Sequence, residues 1–268
     1  MSEEQGQKPE KQGQKPEEQG LSRQALFIPL AKVWFILCSF ALQVLLPNLL
    51  EADQYGDYGI VNRGISVINM IMVTGSIQSV SKFVSEDPSA ARSIRRAALR
   101  VQVFFGGGLA LAYFLAAPMI ANGFNDPSLT GFIRISALIP ACYAFYAVYI
   151  GTLNGLRRFK PQGLFDMAYA TMKSGGILAA AALGYGVNGV FTAFAGAAGV
   201  ILLLAVIHGR TVTGKSDTPF PAKRLMFFAA PVVAFVGVNQ FLLSADLFVA
   251  KSLMDPEISA QLSGAYFG

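Results

Sequence analysis

LPNLLEADQYGDYGIVNRGISVINMIM, residues 46–72, is the stretch on which the fold turns. One apolar run ends in an acidic loop, another begins directly after it, and Arg63 stands at the mouth of the second run. Two such runs joined by a short polar loop make a helical hairpin in a bilayer, because a spanning helix needs about 20 apolar residues. The pattern continues along the chain. Apolar stretches of at least 20 residues occupy roughly 26–50, 59–83, 97–124, 131–156, 162–184, 187–207 and 225–250, and an eighth run begins near Ile258 and reaches only Gly268. Apolar residues make up 53% of the chain and charged ones 14%, against about 25% charged in an ordinary soluble domain. The expected class is all-α, a polytopic membrane helical bundle.

The start of the chain reads differently. EQGQKPEKQGQKPEEQG, residues 4–20, repeats QGQKPE at a seven-residue period and holds no large apolar side chain. Such a segment cannot bury enough surface to fold, so a disordered tail is expected. It lacks the basic region, short apolar core and small-residue cleavage site of a secretory signal, so the first helix is expected to stay as an anchor.

Lysine and arginine alternate between loops, the feature that sets orientation in a membrane. The tail to Arg23 carries four, the second connection Lys82, Arg92, Arg95, Arg96 and Arg100, the fourth Arg157, Arg158 and Lys160, and the sixth Arg210, Lys215, Lys223 and Arg224. The intervening EADQYGDYG, ANGFNDPSLTG and GYGVN carry none, and the seventh connection only Lys251. The N-terminus and the even-numbered connections are therefore expected in the cytoplasm, in a multi-pass protein of the cytoplasmic (inner) membrane. The formal charge of +5 follows from these loops, which points to membrane lipids and to no nucleic-acid partner.

Several motifs fail on their context. GRTVTGKS, residues 209–216, matches the phosphate-binding pattern G-x-x-x-x-G-K-[ST], but that pattern works when a strand feeds the loop and a helix begins at the Lys-Ser. Here an apolar helix precedes it and DTPFP follows, so a solvated basic loop is expected. Cys38 and Cys142 fall inside spans and the single histidine, His208, at a helix end. No metal-ligand spacing and no catalytic set arises from them, so neither metal nor catalytic residue is expected. Gly106–Gly108, Gly151 with Gly155 and Gly196 with Gly199 are expected to allow close helix packing.

A charge kept inside a spanning helix costs about 2.5–3.5 kcal/mol at the centre and marks a functional candidate. The set is Lys32, Arg63, Arg134, Asp166, Lys173 and Asp246. Lys32 and Asp166 lie within about two turns of the cytoplasmic end and can snorkel or pair there. Lys173 is about 16 Å from Gln162 at 1.5 Å per residue, near the midplane. It shares nearly one face with Asp166, with Tyr169 between them, and reads as lining a polar cavity or as half of an ion pair. Arg63, Arg134 and Asp246 fall in the outer half. Arg63 heads a polar face, because Asn62, Ser66, Asn69 and Ser76 recur at helical spacings, and the seventh span carries Asn239, Gln240 and Asp246. A helix facing only lipid does not keep such a stripe. Two readings stay open, a polar cavity or interhelical hydrogen bonding with Arg63 paired to Asp246 or Asp57.

LPNLLEADQYGDYGIVNRGISVINMIMVTGSIQSVSKFVSED resembles the first helical hairpin of the polysaccharide flippases in the multidrug/oligosaccharidyl-lipid/polysaccharide exporter superfamily. There a Y-G-x-Y-G-like start to the second helix follows a short acidic loop, and an F-V-x-E element closes it. GTLNGLRRFKPQGLFDM is similar to that family's fourth loop, and SADLFVAKSLMDPEISAQLSGAYFG to its seventh helix and the start of its eighth; the resemblance spans residues 25–268. Gly56 and Tyr58 recur as Gly264 and Tyr266 after 208 residues, and repeated lobes with the site between them are the usual build of secondary transporters.

Composition and loop charge predict a disordered cytoplasmic tail over 1–24 and a cytoplasmic linker over 209–224; the resemblance implies a six-helix N-terminal lobe over 25–208 and, over 225–268, the first helix of a second lobe with the beginning of the next. It implies flipping or export of a lipid-linked oligosaccharide or polysaccharide precursor by alternating access, with no cofactor. The partners would be an anionic lipid-linked glycan, membrane lipids and polysaccharide assembly proteins. Arg63, Arg134 and Lys173 would give a cationic cavity for a lipid diphosphate or an acidic sugar, with Asn69, Asn239, Gln240 and Asp246 beside them. The alternatives are a drug or cation antiporter of the same superfamily using Asp166 and Asp246, a membrane glycosyltransferase using Glu51 and Asp53 in the first outer loop, and an inactive truncated fragment.

Overall fold

The computed structural model describes residues 26–124, 126–211 and 219–253, with side chains beyond Asn239 described only at Leu242. The tail, most of the GRTVTGKS segment and the eighth apolar run lie outside the described residues. The helices are α1 (Phe27–Leu49), α2 (Ala52–Glu86), α3 (Ala91–Gly123), α4 (Leu129–Ser136), α5 (Leu138–Gly155), α6 (Phe159–Ala182), α7 (Gly186–Arg210) and α8 (Ala222–Leu253), with a single 3-10 turn at Pro88–Ala90 before α3. No strand occurs among the described residues, so the expected all-α bundle is what forms. Six helical segments are long and apolar enough to cross a membrane: α1, α2, the turn with α3, α4 with α5, α7 and the first 18 residues of α8. α6 is also long enough, at 24 residues, but Lys160, Asp166 and Lys173 make it more polar than the rest.

The helices overrun the apolar stretches in ways that charge explains. α2 begins at Ala52, so most of the acidic segment expected as a loop is helix. At 35 residues it is about 52 Å long, well beyond a hydrocarbon core of about 30 Å. α3 likewise takes in Arg92, Arg95 and Arg96. Hydropathy marks the part of a helix that suits lipid, and the backbone ladder runs on past it. The fourth span is interrupted after Ser136, four residues before Pro140, whose ring displaces the carbonyl at that distance and supplies no N–H.

Two turns share the sequence Asp-Pro-Ser and the same chemistry. The Asp87 carboxylate accepts from the Ser89 hydroxyl at 2.6 Å and the Ser89 amide at 3.0 Å, and the Asp126 carboxylate accepts from Ser128 at 2.6 and 2.9 Å in the same way. Each side chain satisfies donors that a helix start leaves open. α5 ends with the Arg157 amide bonded to the Asn154 carbonyl and the Arg158 amide to Leu153, both at 2.9 Å. This is the paired closure that favours glycine at the left-handed position, yet Arg157 holds it at φ 55°.

Packing follows three seams. α1 lies along α6 in parallel, with Phe27 over Gly163 and the Trp34 indole N–H donating to Thr171 Oγ1 at 2.9 Å. α5 meets α2 backbone to backbone, because Gly151 and Gly155 would place a Cβ 3.1 Å from the Ile77 carbonyl oxygen and 2.7 Å from that of Ser81. Gly106 is crowded by Ala144 and Met72, whereas Gly108, Gly196 and Gly199 face open space, so close packing explains only some of the expected glycines. The main core gathers Leu46, Ile65, Ile133, Ile139, Ile177, Phe191 and Ile201. A separate cluster of Val80, Phe83, Val84, Ala91, Ile94 and Leu225 ties the far end of α2 to α3 and α8. Phe104 and Phe227 are more than 80% exposed, which suits a surface in lipid.

Candidate functional site

The polar stripe of α2 divides on folding. At its N-terminal end Arg63 and Ser66 are exposed and Asn62 is half-buried, and the Ser66 hydroxyl donates back to the Asn62 carbonyl at 2.8 Å. Asn69, the middle residue of the helix, is half-buried, and its Oδ1 is enclosed without a hydrogen-bond partner among the described residues. Ser76 is buried and its Oγ accepts from Gln102 Nε2 of α3, while Gln102 Oε1 is enclosed and unpartnered. An unpaired amide oxygen shut off from water costs about 1–3 kcal/mol. Asn69 and Gln102 therefore hold hydrogen-bonding capacity that the described contacts leave unused.

α8 brings the second polar set to the same depth. It runs antiparallel to α2: a Cβ on Gly75 would sit 2.7 Å from Val233 Cγ2, and the Phe83 ring lies edge-on to Phe228 at 6.0 Å. Moving six residues from the Gly75–Val233 contact along each helix reaches Asn69 and Asn239, and moving thirteen reaches Asn62 and Asp246. Both helices rise equally per residue, so these positions are level, with Arg63 one residue away. Asn239 is exposed; the side chains of Gln240 and Asp246 lie outside the described residues.

Lys173 occupies a different seam. It stands about 4 Å past the midpoint of α6, half-buried, with its ammonium 4.7 Å from the Phe194 ring centroid on α7 and 6.0 Å from that of Phe35 on α1. Among the described residues no carboxylate oxygen comes within 4.0 Å of it, so the ion-pair reading finds no partner there. Asp166, expected to snorkel or pair near the cytoplasmic end, accepts from the Tyr146 hydroxyl of α5 at 3.2 Å. The Tyr143 ring lies edge-on to Tyr169 at 5.0 Å and to Tyr146 at 6.1 Å beside this pair. Lys32 is exposed on α1. Arg134 is exposed on α4 with its guanidinium 5.4 Å above the Phe114 ring of α3. Arg63, Arg134 and Lys173 thus belong to three separate helices, α2, α4 and α6.

Two residues of this arrangement were not singled out from sequence. Gln102 is the lone polar side chain in the run VQVFF, residues 101–105, a signal that was available because an uncharged polar group in a span asks for an interhelical partner. Tyr146 gave none, since its partner lies 20 residues away on another helix.

Helices of this length and apolarity, packed in this order, define a multi-pass α-helical membrane protein. Residues 45–258 match the family model described as polysaccharide biosynthesis protein. That match covers most of the chain, and the chain belongs to this family, in agreement with the resemblance read from the hairpin and loop motifs. The fold is similar to that in the crystal structure of MATE in complex with Br-NRF, with a TM-score of 0.66 at 16% identity over 93% of this chain and 61% of that one. The chain thus spans about three-fifths of the length of that protein. No curated protein matches the sequence.

Proposed function

We propose that the chain forms the first part of a transporter that flips or exports a lipid-linked oligosaccharide or polysaccharide precursor across the cytoplasmic membrane by alternating access. Family membership and the MATE-like fold support the general class. The observation that carries the substrate assignment is Lys173, a cation near the middle of α6 that faces aromatic rings and has no carboxylate within 4.0 Å among the described residues. Such a group suits an anionic headgroup, because charge-assisted hydrogen bonds to phosphate are strong where water is scarce. In this reading Arg63 offers a second cationic contact from the α2 stripe, Arg134 a third at the outer rim, and Asn69, Asn239, Gln240 and Asp246 the polar lining between α2 and α8.

The same reading takes 1–24 as a cytoplasmic tail, 25–208 as the first six-helix lobe, 209–224 as the linker and 225–268 as the start of a second lobe. It places the basic loops in the cytoplasm and the protein in the inner membrane. Arg63→Ala and Lys173→Ala, each made in the full-length protein in its own host, should abolish surface polysaccharide while the protein stays at normal level in the membrane fraction. Unchanged polymer from both variants refutes the cationic site. A drug or cation antiporter is the second reading, favoured by the Asp166–Tyr146 pair inside the bundle, since a carboxylate there suits a cationic cargo. Dye efflux that disappears with Asp166→Asn would select it.

A further inference from the structure

The joint between the end of α2 and the entrance to α8 is held by side chains that pack as rings and cations. The Phe83 ring lies 5.3 Å from Phe220 and 6.0 Å from Phe228. The Arg224 guanidinium stands 5.4 Å from the Phe83 centroid and 5.7 Å from that of Phe220, while the Lys82 ammonium stands 4.3 Å from Phe228 and 5.5 Å from Phe83. Lys82 also reaches Glu86 at 3.9 Å. Leu225 is buried into the satellite cluster beneath, apart from the main core.

A cavity of about 210 Å³ opens inside this joint, lined by Phe83, Glu86, Asp87, Phe220, Pro221 and Arg224 among others. It is poorly made for a ligand. The Asp87 carboxylate is occupied by Ser89 and the Ala90 amide, Glu86 by Lys82, and Arg224 by two rings, so these groups are already engaged. A seam with open space between its two sides and cation–ring contacts across it is held less firmly than a close-packed core. Farther along the same pair of helices, Val233 crowds Gly75, and beyond that contact lie the polar positions from Asn69 to Arg63.

We propose that this joint is a releasable clasp that closes the cytoplasmic end of the α2–α8 seam, and that its opening admits the cytoplasm to the polar face of α2. The proposal rests on the alternating-access reading above, and it assigns Phe83, Phe220, Phe228, Lys82 and Arg224 to the closed state. Cation–ring contacts suit the task because they hold at the wet end of a helix and exchange readily for water.

The test uses the full-length protein with Cys38 and Cys142 replaced by serine and a reporter at the exposed α2 position, Ser66→Cys. Inside-out and right-side-out vesicles are treated with a membrane-impermeant maleimide. Phe83→Leu keeps the apolar bulk that the satellite cluster needs but removes the ring face, and Arg224→Gln removes the cation. Each should raise labelling from the cytoplasmic side roughly tenfold and lower it from the other side, as a shifted two-state equilibrium requires. One-sided labelling identical to the parent in both variants overturns the clasp alone. A thiol unreactive from both sides in parent and variants overturns the clasp and the alternating-access reading together.

Discussion

Gly155→Ala isolates the contact between α2 and α5. The new methyl group would lie 2.7 Å from the Ser81 carbonyl oxygen, 2.7 Å from Val84 Cβ and 2.9 Å from Val84 Cγ1. Ordinary van der Waals contact begins near 3.4 Å, so the helices must part by up to about 0.7 Å or the ladder must bend. A carbonyl in a helix and a β-branched side chain have little freedom to yield. Overpacking of this kind costs about 1–3 kcal/mol, against a gain of about 0.5–1 kcal/mol for replacing a glycine inside a helix by alanine. The net expectation is a loss of up to about 2.5 kcal/mol from these two effects. Gly108→Ala on α3 supplies the control, because nothing lies within 4 Å of its Cβ position and only the gain remains. Trp34 is the single tryptophan, hydrogen-bonded across the α1–α6 seam, so its fluorescence reports unfolding in detergent without an added probe. The two variants should shift the unfolding midpoint in opposite directions. Gly155→Ala equal to or more stable than Gly108→Ala refutes the backbone contact between α2 and α5.

Arg157→Gly should raise stability by about 0.5–1 kcal/mol by relieving the left-handed conformation, while Arg157→Ala should not, a comparison that the same midpoint measurement makes and that separates backbone strain from charge. Hydrogen bonds from the Ser89 hydroxyl first, then from the Ala90 and Ser89 amides, hold the Asp87 carboxyl below its ordinary 3.8. The folded form therefore binds its proton less readily than the unfolded chain, so the contribution is fully present above that ordinary value and fades as pH falls through the lowered one. The midpoint difference between the parent and Asp87→Ala should be constant near neutrality and shrink on acidification; a difference that grows in acid contradicts the assignment.

The fold was legible because a bilayer rewards a simple pattern. Each of the seven long apolar runs became helix, since a backbone in lipid must satisfy its own hydrogen bonds and a helix does so alone; six of them, with α4 and α5 together making one, form segments long and apolar enough to span, and the fifth became the more polar α6. Ends were less legible, because Ala52–Tyr58 and Arg92–Arg96 are helical through continuity of the backbone ladder rather than apolarity. The break after Ser136 was written in Pro140. Which glycines meet another backbone was not readable: Gly151 with Gly155 and Gly196 with Gly199 look alike in sequence, and only the first pair faces a neighbouring helix.

For the site, composition could flag each charged position but not its neighbours. Asp166 and Lys173 share a face of α6 by spacing, which made a mutual interaction plausible, yet one turns to Tyr146 and the other to Phe194. Helix–helix contacts decide such partnerships, and they join residues far apart in the chain. The α2–α8 seam makes the point most directly. Asn69 and Asn239 were each readable as a polar position in a span, but their common depth depends on Val233 fitting over Gly75. A larger residue at position 75 would slide or lift α8, and every polar position from Asn239 to Asp246 would move with it. The missing side chain at Gly75 thus sets how closely α2 and α8 approach at this contact, which joins positions far apart in the chain.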